Sequence, residues 1–175
     1  PKPLSAYADV LKVEDAWWFM LFYGVTFGGF VGLSNSLSIW FVDSFALSAV
    51  TAGYYTAACV FTGSLVRPLG GALADRFGGT RTLTMVYIVA ALVLATISTG
   101  PATLLSAVAL FMAVMATLGI GNGAVFQLVP QRFRQEIGVM TGLVGFAGGV
   151  GGFYLASSLG FAQKFTGSAS AGFLI

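Results

Sequence analysis

Residues 82–131 contain no aspartate, glutamate, lysine or arginine, and that gap restricts what the chain can fold into more than any motif within it. A charge inside a bilayer is costly, and a helix needs about 20 mostly apolar residues to cross one. Charge-free windows therefore mark spans, and charges mark their ends. Composition agrees: the 175 residues are 57% hydrophobic and 8% charged, against about 25% charged in soluble domains. A soluble domain of this length has no core large enough to hide so much apolar surface. The expected fold is an all-α transmembrane bundle of five full helices, with a sixth beginning at the C-terminus.

The first window covers residues 16–42, and the second covers 46–74, interrupted only by Arg67. The long gap exceeds one helix. Ser98, Thr99, Gly100 and Pro101 form a turn signal, which divides it into spans over 82–98 and 103–129. Residues 137–160 make the fifth span, and a further one starts over 168–175, so the chain reads as a fragment of something longer. Residues 1–15 read as a cytoplasmic linker leading to Trp17 and Trp18, side chains suited to a membrane interface. Arg76 and Arg81 fall in loop 75–81, and Arg132 and Arg134 in loop 130–136. The alternate connections hold Asp43, no charge at all, and Lys164. This arginine bias predicts a multi-pass protein of the cell membrane with both arginine loops in the cytoplasm.

Several function classes drop out at this stage. The net charge of +2 is small and dispersed, which argues against a nucleic-acid partner and leaves the lipid bilayer as the expected surrounding. Cys59 is the single cysteine and histidine is absent, which removes disulfides, the commonest metal ligand and the commonest general base. No acid, histidine or nucleophile lies buried beside another in the spans. Neither an enzyme nor a metal or cofactor site is expected.

Arg67 is the most informative residue. It is the only charge inside a span and precedes Asp75 by eight residues, about 12 Å along a helix. One reading is an arginine snorkelling to the cytoplasmic headgroups; the other is a cation facing a water-filled cavity. No Asp or Glu lies within any span, so a buried Arg67 needs an anion from elsewhere. Its rigid fork suits a small planar oxyanion through two parallel hydrogen bonds. Pro68 follows, deletes the bond to the Ser64 carbonyl and is expected to bend the helix. Tyr23 and Phe27 are four residues apart and share a helix face, a spacing that ordinary packing also produces. Asn122, set among Gly119, Gly121 and Gly123, reads more readily as an interhelical hydrogen bond than as a ligand contact.

Two glycine patterns stand out. Gly70, Gly71, Asp75, Arg76, Gly78, Gly79 and Arg81 crowd the end of the second span. They predict a tight glycine turn, with Asp75 and the arginines forming a charged latch and Gly70 and Gly71 permitting close helix approach. In the fifth span Gly138, Gly142, Gly145, Gly149 and Gly152 fall on one helix face, widened by Gly148 and Gly151. Each glycine costs a helix about 1 kcal/mol relative to alanine. A stripe so dense predicts another backbone, or a ligand, very close by; plain small-residue helix packing is the simpler cause.

The segment from Gly70 to Arg81, following a second helix, resembles the cytoplasmic loop motif of the major facilitator superfamily. With Arg67 before it, it resembles the C-terminal half of the nitrate/nitrite porters in that superfamily. So do residues 23–30, opening on Tyr23 and carrying Phe27, and residues 119–127 around Asn122. Residues 145–153 resemble the second copy of the porters' glycine-rich signature, with Gly148 and Gly149 where an asparagine is usual. The resemblance implies a twelve-helix carrier working by alternating access, with nitrate or nitrite held between two six-helix halves. It implies that Arg67 is one of two arginines gripping the anion, that Tyr23 and Phe27 are its aromatic contacts, and that Gly145, Gly148 and Gly149 belong to the pocket wall. Asn122 joins them as a candidate substrate contact, while Gly71, Asp75, Arg76, Gly78 and Arg81 form the conformational latch. A partner N-terminal half is implied, and a carrier for another small anion, such as formate or a carboxylate, is the alternative.

Overall fold

A computed structural model describes residues 4–166. The further span expected over 168–175 lies outside the described residues. A short helix α1, Leu4–Leu11, leads into α2, Glu14–Phe45. Trp17 Nε1 donates to the Leu11 carbonyl at 2.9 Å across that corner, and Glu14 and Asp15 complement the positive end of the α2 dipole. Helix α3, Ala49–Leu65, starts on Ser48, whose hydroxyl accepts from the Thr51 amide. Helix α4, Arg67–Phe77, continues it after a one-residue break at Val66. The break lies where Pro68 removes a backbone donor, and the two pieces together make one membrane-length segment, Ala49–Phe77.

Gly78, with φ at 88°, supplies the left-handed turn into α5, Gly79–Ser98. Gly100 and Pro101 end that helix, and Thr103 and Ser106 form a capping box that starts α6, Leu104–Arg132. Helix α7, Ile137–Thr166, completes the described chain. Five of these segments are long and apolar enough to cross a membrane, and no strand occurs among the described residues.

Helix α6 is the hub, touching α2, α3, α4 and α5, whereas α7 packs chiefly on α2. Glycines make these contacts close. On α6, Gly119 abuts the backbone of Gly63 and Gly123 abuts that of Arg67; Gly70 in turn meets the Ile120 backbone. Between α2 and α7, Gly24 and Gly28 face Gly151, and Gly152 meets Val31. Removing Cβ atoms at such points lets backbones approach, the main source of helix attraction where lipid is as apolar as the side chains.

The interior divides into two apolar clusters along the bundle axis. Trp40, Phe41, Ile97, Phe111 and Met115 belong to one, and Phe19, Val125, Phe133 and Met140 to the other. Between them lies a waist at Gly119–Gly123 of α6, where Asn122 joins neither cluster. Polar side chains tie the ends. Arg132 pairs with Asp15, and Gln127 donates to Asp75, which brings the arginine loops and the start of α2 to one end. At the other, Gln163 donates to Asp43 at 2.8 Å. The outer surface carries Phe61, Leu92, Leu105 and Phe153, all exposed, an arrangement that suits lipid rather than water.

Candidate functional site

Arg67 opens α4 directly after the helix break. Its guanidinium carbon lies 4.8 Å from the Phe30 ring centroid and 5.6 Å from that of Phe27, so the side chain turns inward to α2. Aromatic faces attract a cation through their quadrupole, and the two rings fix where the charge sits. Among the described residues only Lys12–Asp9 and Arg132–Asp15 form ion pairs, so Arg67 has no carboxylate there. Its Nε is buried and has no hydrogen-bond partner among the described residues.

The aromatic pair expected from the 23/27 spacing exists as a stack. The rings of Tyr23 and Phe27 are 4.9 Å apart with 6° between their planes. Phe126 of α6 meets Tyr23 edge-on at 5.0 Å. Gly148 closes the other side: a Cβ there would lie 2.8 Å from Phe27 Cδ1 and 2.9 Å from Tyr23 Cδ1. Arg67, Phe27, Tyr23 and Gly148 thus form one continuous constellation across α4, α2 and α7.

Asn122 does not make the interhelical hydrogen bond anticipated for it. It is 2% exposed, and both its amide nitrogen and its amide oxygen lack a hydrogen-bond partner among the described residues. The hydroxyls nearby avoid this outcome by bonding to their own helix: Thr26 donates to the Phe22 carbonyl and Ser34 to that of Phe30. An asparagine without such a back-bond depends on a facing helix to supply a partner, and none of the described helices does so.

Other expected residues separate. Gly145 and Gly149, together with Gly138 and Gly142, are exposed, and a Cβ added at any of them would meet no described atom within 4 Å. The glycine stripe is therefore two stripes: Gly148, Gly151 and Gly152 dock on α2, and the other four face outward. In the loop, Gly78 makes the turn, and among the described residues no ion pair joins Asp75 to Arg76 or Arg81. Asp75 accepts from Gln127 instead, the Arg76 guanidinium lies over the Phe77 ring, and Arg76 and Arg81 are exposed. Gly70 makes the close helix approach; Gly71 has only ordinary contacts with Gln127 and Gly123.

Sequence reasoning missed Phe30, Phe126 and Gln127 in these roles. Phe30 and Phe126 had a readable signal, since Phe30 is three residues past Phe27 and Phe126 four past Asn122. Gln127 had none, because its partner lies 52 positions away.

Fold and constellation together define an all-α membrane bundle with one inward-turned arginine, and a family model for the Major Facilitator Superfamily matches residues 1–156. The chain belongs to that superfamily. Among curated relatives, it is 34% identical to a probable nitrate/nitrite antiporter of Thermus thermophilus, over 95% of this chain and 42% of the relative. It is 37% identical to a nitrite extrusion protein of Bacillus subtilis, over 94% and 42%, respectively. A probable nitrate transporter of Staphylococcus epidermidis is 32% identical over 98% and 44%. The chain thus spans about two-fifths of the length of these relatives.

Proposed function

We propose that this chain is the C-terminal six-helix half of a secondary transporter for nitrate and/or nitrite, not an enzyme. The single observation that carries the reading is the Arg67 guanidinium. It turns inward over Phe27 and Phe30 with no carboxylate beside it among the described residues. A cation so placed is completed by a small anion, and the names of the relatives support nitrate or nitrite as that anion.

In this reading Arg67 grips the anion by its fork, and the Tyr23–Phe27 stack flanks it. Asn122 supplies an amide, and Gly148 leaves room for the rings, with Gly145 and Gly149 on the helix face turned to the other half. The anion sits near the midplane between two six-helix halves, which rock to expose it to either side. The glycine turn at Gly78, with Gly71, Asp75, Arg76 and Arg81 around it, works as the conformational latch at the cytoplasmic face. Loops 75–81 and 130–136 are cytoplasmic, in the cell membrane.

Uptake by the full-length protein in proteoliposomes, measured with nitrate, nitrite and formate, tests the substrate. Nitrate or nitrite is expected to accumulate and formate to compete poorly; transport of formate alone would contradict the reading. Sidedness is tested separately by replacing Cys59 and placing a cysteine at Arg134. An impermeant thiol reagent should label it only in inverted vesicles, and labelling from outside intact cells would reverse the topology.

A further inference from the structure

Two side chains at the waist keep buried polar atoms without partners among the described residues, and they are complementary. Arg67 Nε is a donor, Asn122 Oδ1 an acceptor, and Asn122 Nδ2 a second donor. A polar group buried without a hydrogen bond costs its full desolvation, and a ligand-bound state that pairs these atoms recovers that cost.

The contacts of their neighbours place the two residues at one level of the bundle. Gly123, adjacent to Asn122 in sequence, abuts the Arg67 backbone. Phe126, one turn along the same face of α6, meets Tyr23, which stacks on Phe27, and the Arg67 guanidinium lies over Phe27. The α2–α6 register closes the ring: Leu118 packs on Gly29, Gly121 on Thr26 and Phe126 on Tyr23. Asn122 therefore lies level with the turn of α2 that receives the guanidinium, on the α6 face between Leu118 and Phe126.

We infer that Asn122 is a positioning residue for Arg67: when the anion is bound, Asn122 Oδ1 accepts the Arg67 Nε–H, and Asn122 Nδ2 donates to the anion. This inference rests on the anion-transport reading and adds to it the way the fork is aimed. With Nε held by the amide, only the two terminal nitrogens of the guanidinium remain for the oxyanion, so one approach direction is selected. Without the amide the guanidinium can swing along the Phe27 and Phe30 faces, which attract it without orienting it. The amide is neutral, so it aims the charge without cancelling it, as a carboxylate at that position would.

The test uses full-length protein in detergent, with nitrate affinity read from binding and from the nitrate-dependent rise in Tm. Asn122→Leu, which keeps the branched side-chain shape but carries no polar atom, is expected to melt, ligand-free, at or above the wild-type temperature, because an unpaired amide is gone. Its Kd for nitrate should rise at least about tenfold. Asn122→Asp is expected to abolish nitrate binding, since its carboxylate pairs with Arg67. The inference is overturned if either variant binds nitrate within twofold of wild type. It is equally overturned if ligand-free Asn122→Leu melts well below wild type while its affinity holds, which is the mark of a packing role. Wild-type protein that binds neither nitrate nor nitrite overturns the transport reading and this inference with it. Normal wild-type binding with an unaffected leucine variant overturns the inference alone.

Discussion

At the scale of residues, the decisive contrast is between satisfied and unsatisfied polar groups in an apolar interior. Thr26, Thr62 and Thr82 return their hydroxyls to carbonyls one turn back, a device open to short side chains on any helix. Tyr87 reaches across to the Phe22 carbonyl at 3.1 Å. Arg67 and Asn122 do neither, and they occur at one level of the bundle. A lysine at position 67 keeps the charge but loses the planar fork and the Nε donor. Charge-assisted hydrogen bonds contribute about 1.5–3 kcal/mol each, so losing one of the pair predicts a roughly ten- to hundredfold weaker hold on nitrate.

At the scale of elements, the glycines of α7 have two different duties, and substitutions separate them. A Cβ at Gly151 would lie 2.8 Å from the Gly24 carbonyl carbon, and backbone cannot step aside as a side-chain tip can. Gly151→Val is expected to force α2 and α7 apart and cost about 1–3 kcal/mol or more, seen as a lower Tm in detergent. Gly142 meets no described atom within 4 Å, so Gly142→Ala is expected to leave Tm unchanged or raise it, by up to about 1 kcal/mol of helix propensity. Equal losses from both would contradict the division. That division was hidden in the sequence because the seven glycines cover a broad arc of the helix, and periodicity alone does not tell which edge of an arc docks. The spans themselves were legible, since Arg76, Arg81, Arg132 and Arg134 cannot enter hydrocarbon. The break before Arg67 was legible in Pro68. The 23/27 stack was legible from spacing, and spacing also put Phe30 beside Phe27; that Phe30 is the nearer ring to Arg67 was not legible, because it depends on how α4 crosses α2. The Asp75–Gln127 pairing and the bare amide of Asn122 are tertiary facts with no local signature.

At the scale of the whole molecule, the bundle is arranged around α6, with glycine contacts holding the broken α3–α4 segment on one side and α7 held by α2. Polar clasps close both ends: Arg132 with Asp15 and Gln127 with Asp75 at one, Gln163 with Asp43 at the other. Two apolar clusters fill the bundle between them and leave a polar waist where α2, α4 and α6 meet. The chain covers about two-fifths of its relatives' length, and the outward glycines Gly138, Gly142, Gly145 and Gly149 present a face with no Cβ atoms to whatever lies beside it. In the proposed carrier of two halves, such a face lets the halves slide or separate without interlocking side chains. The measurement that bears most directly on this account is nitrate uptake by full-length protein carrying Arg67→Lys, reconstituted beside wild type at matched protein density. Uptake reduced roughly tenfold or more, with Tm preserved, is the predicted result; uptake equal to wild type would contradict the assignment of Arg67 to the anion.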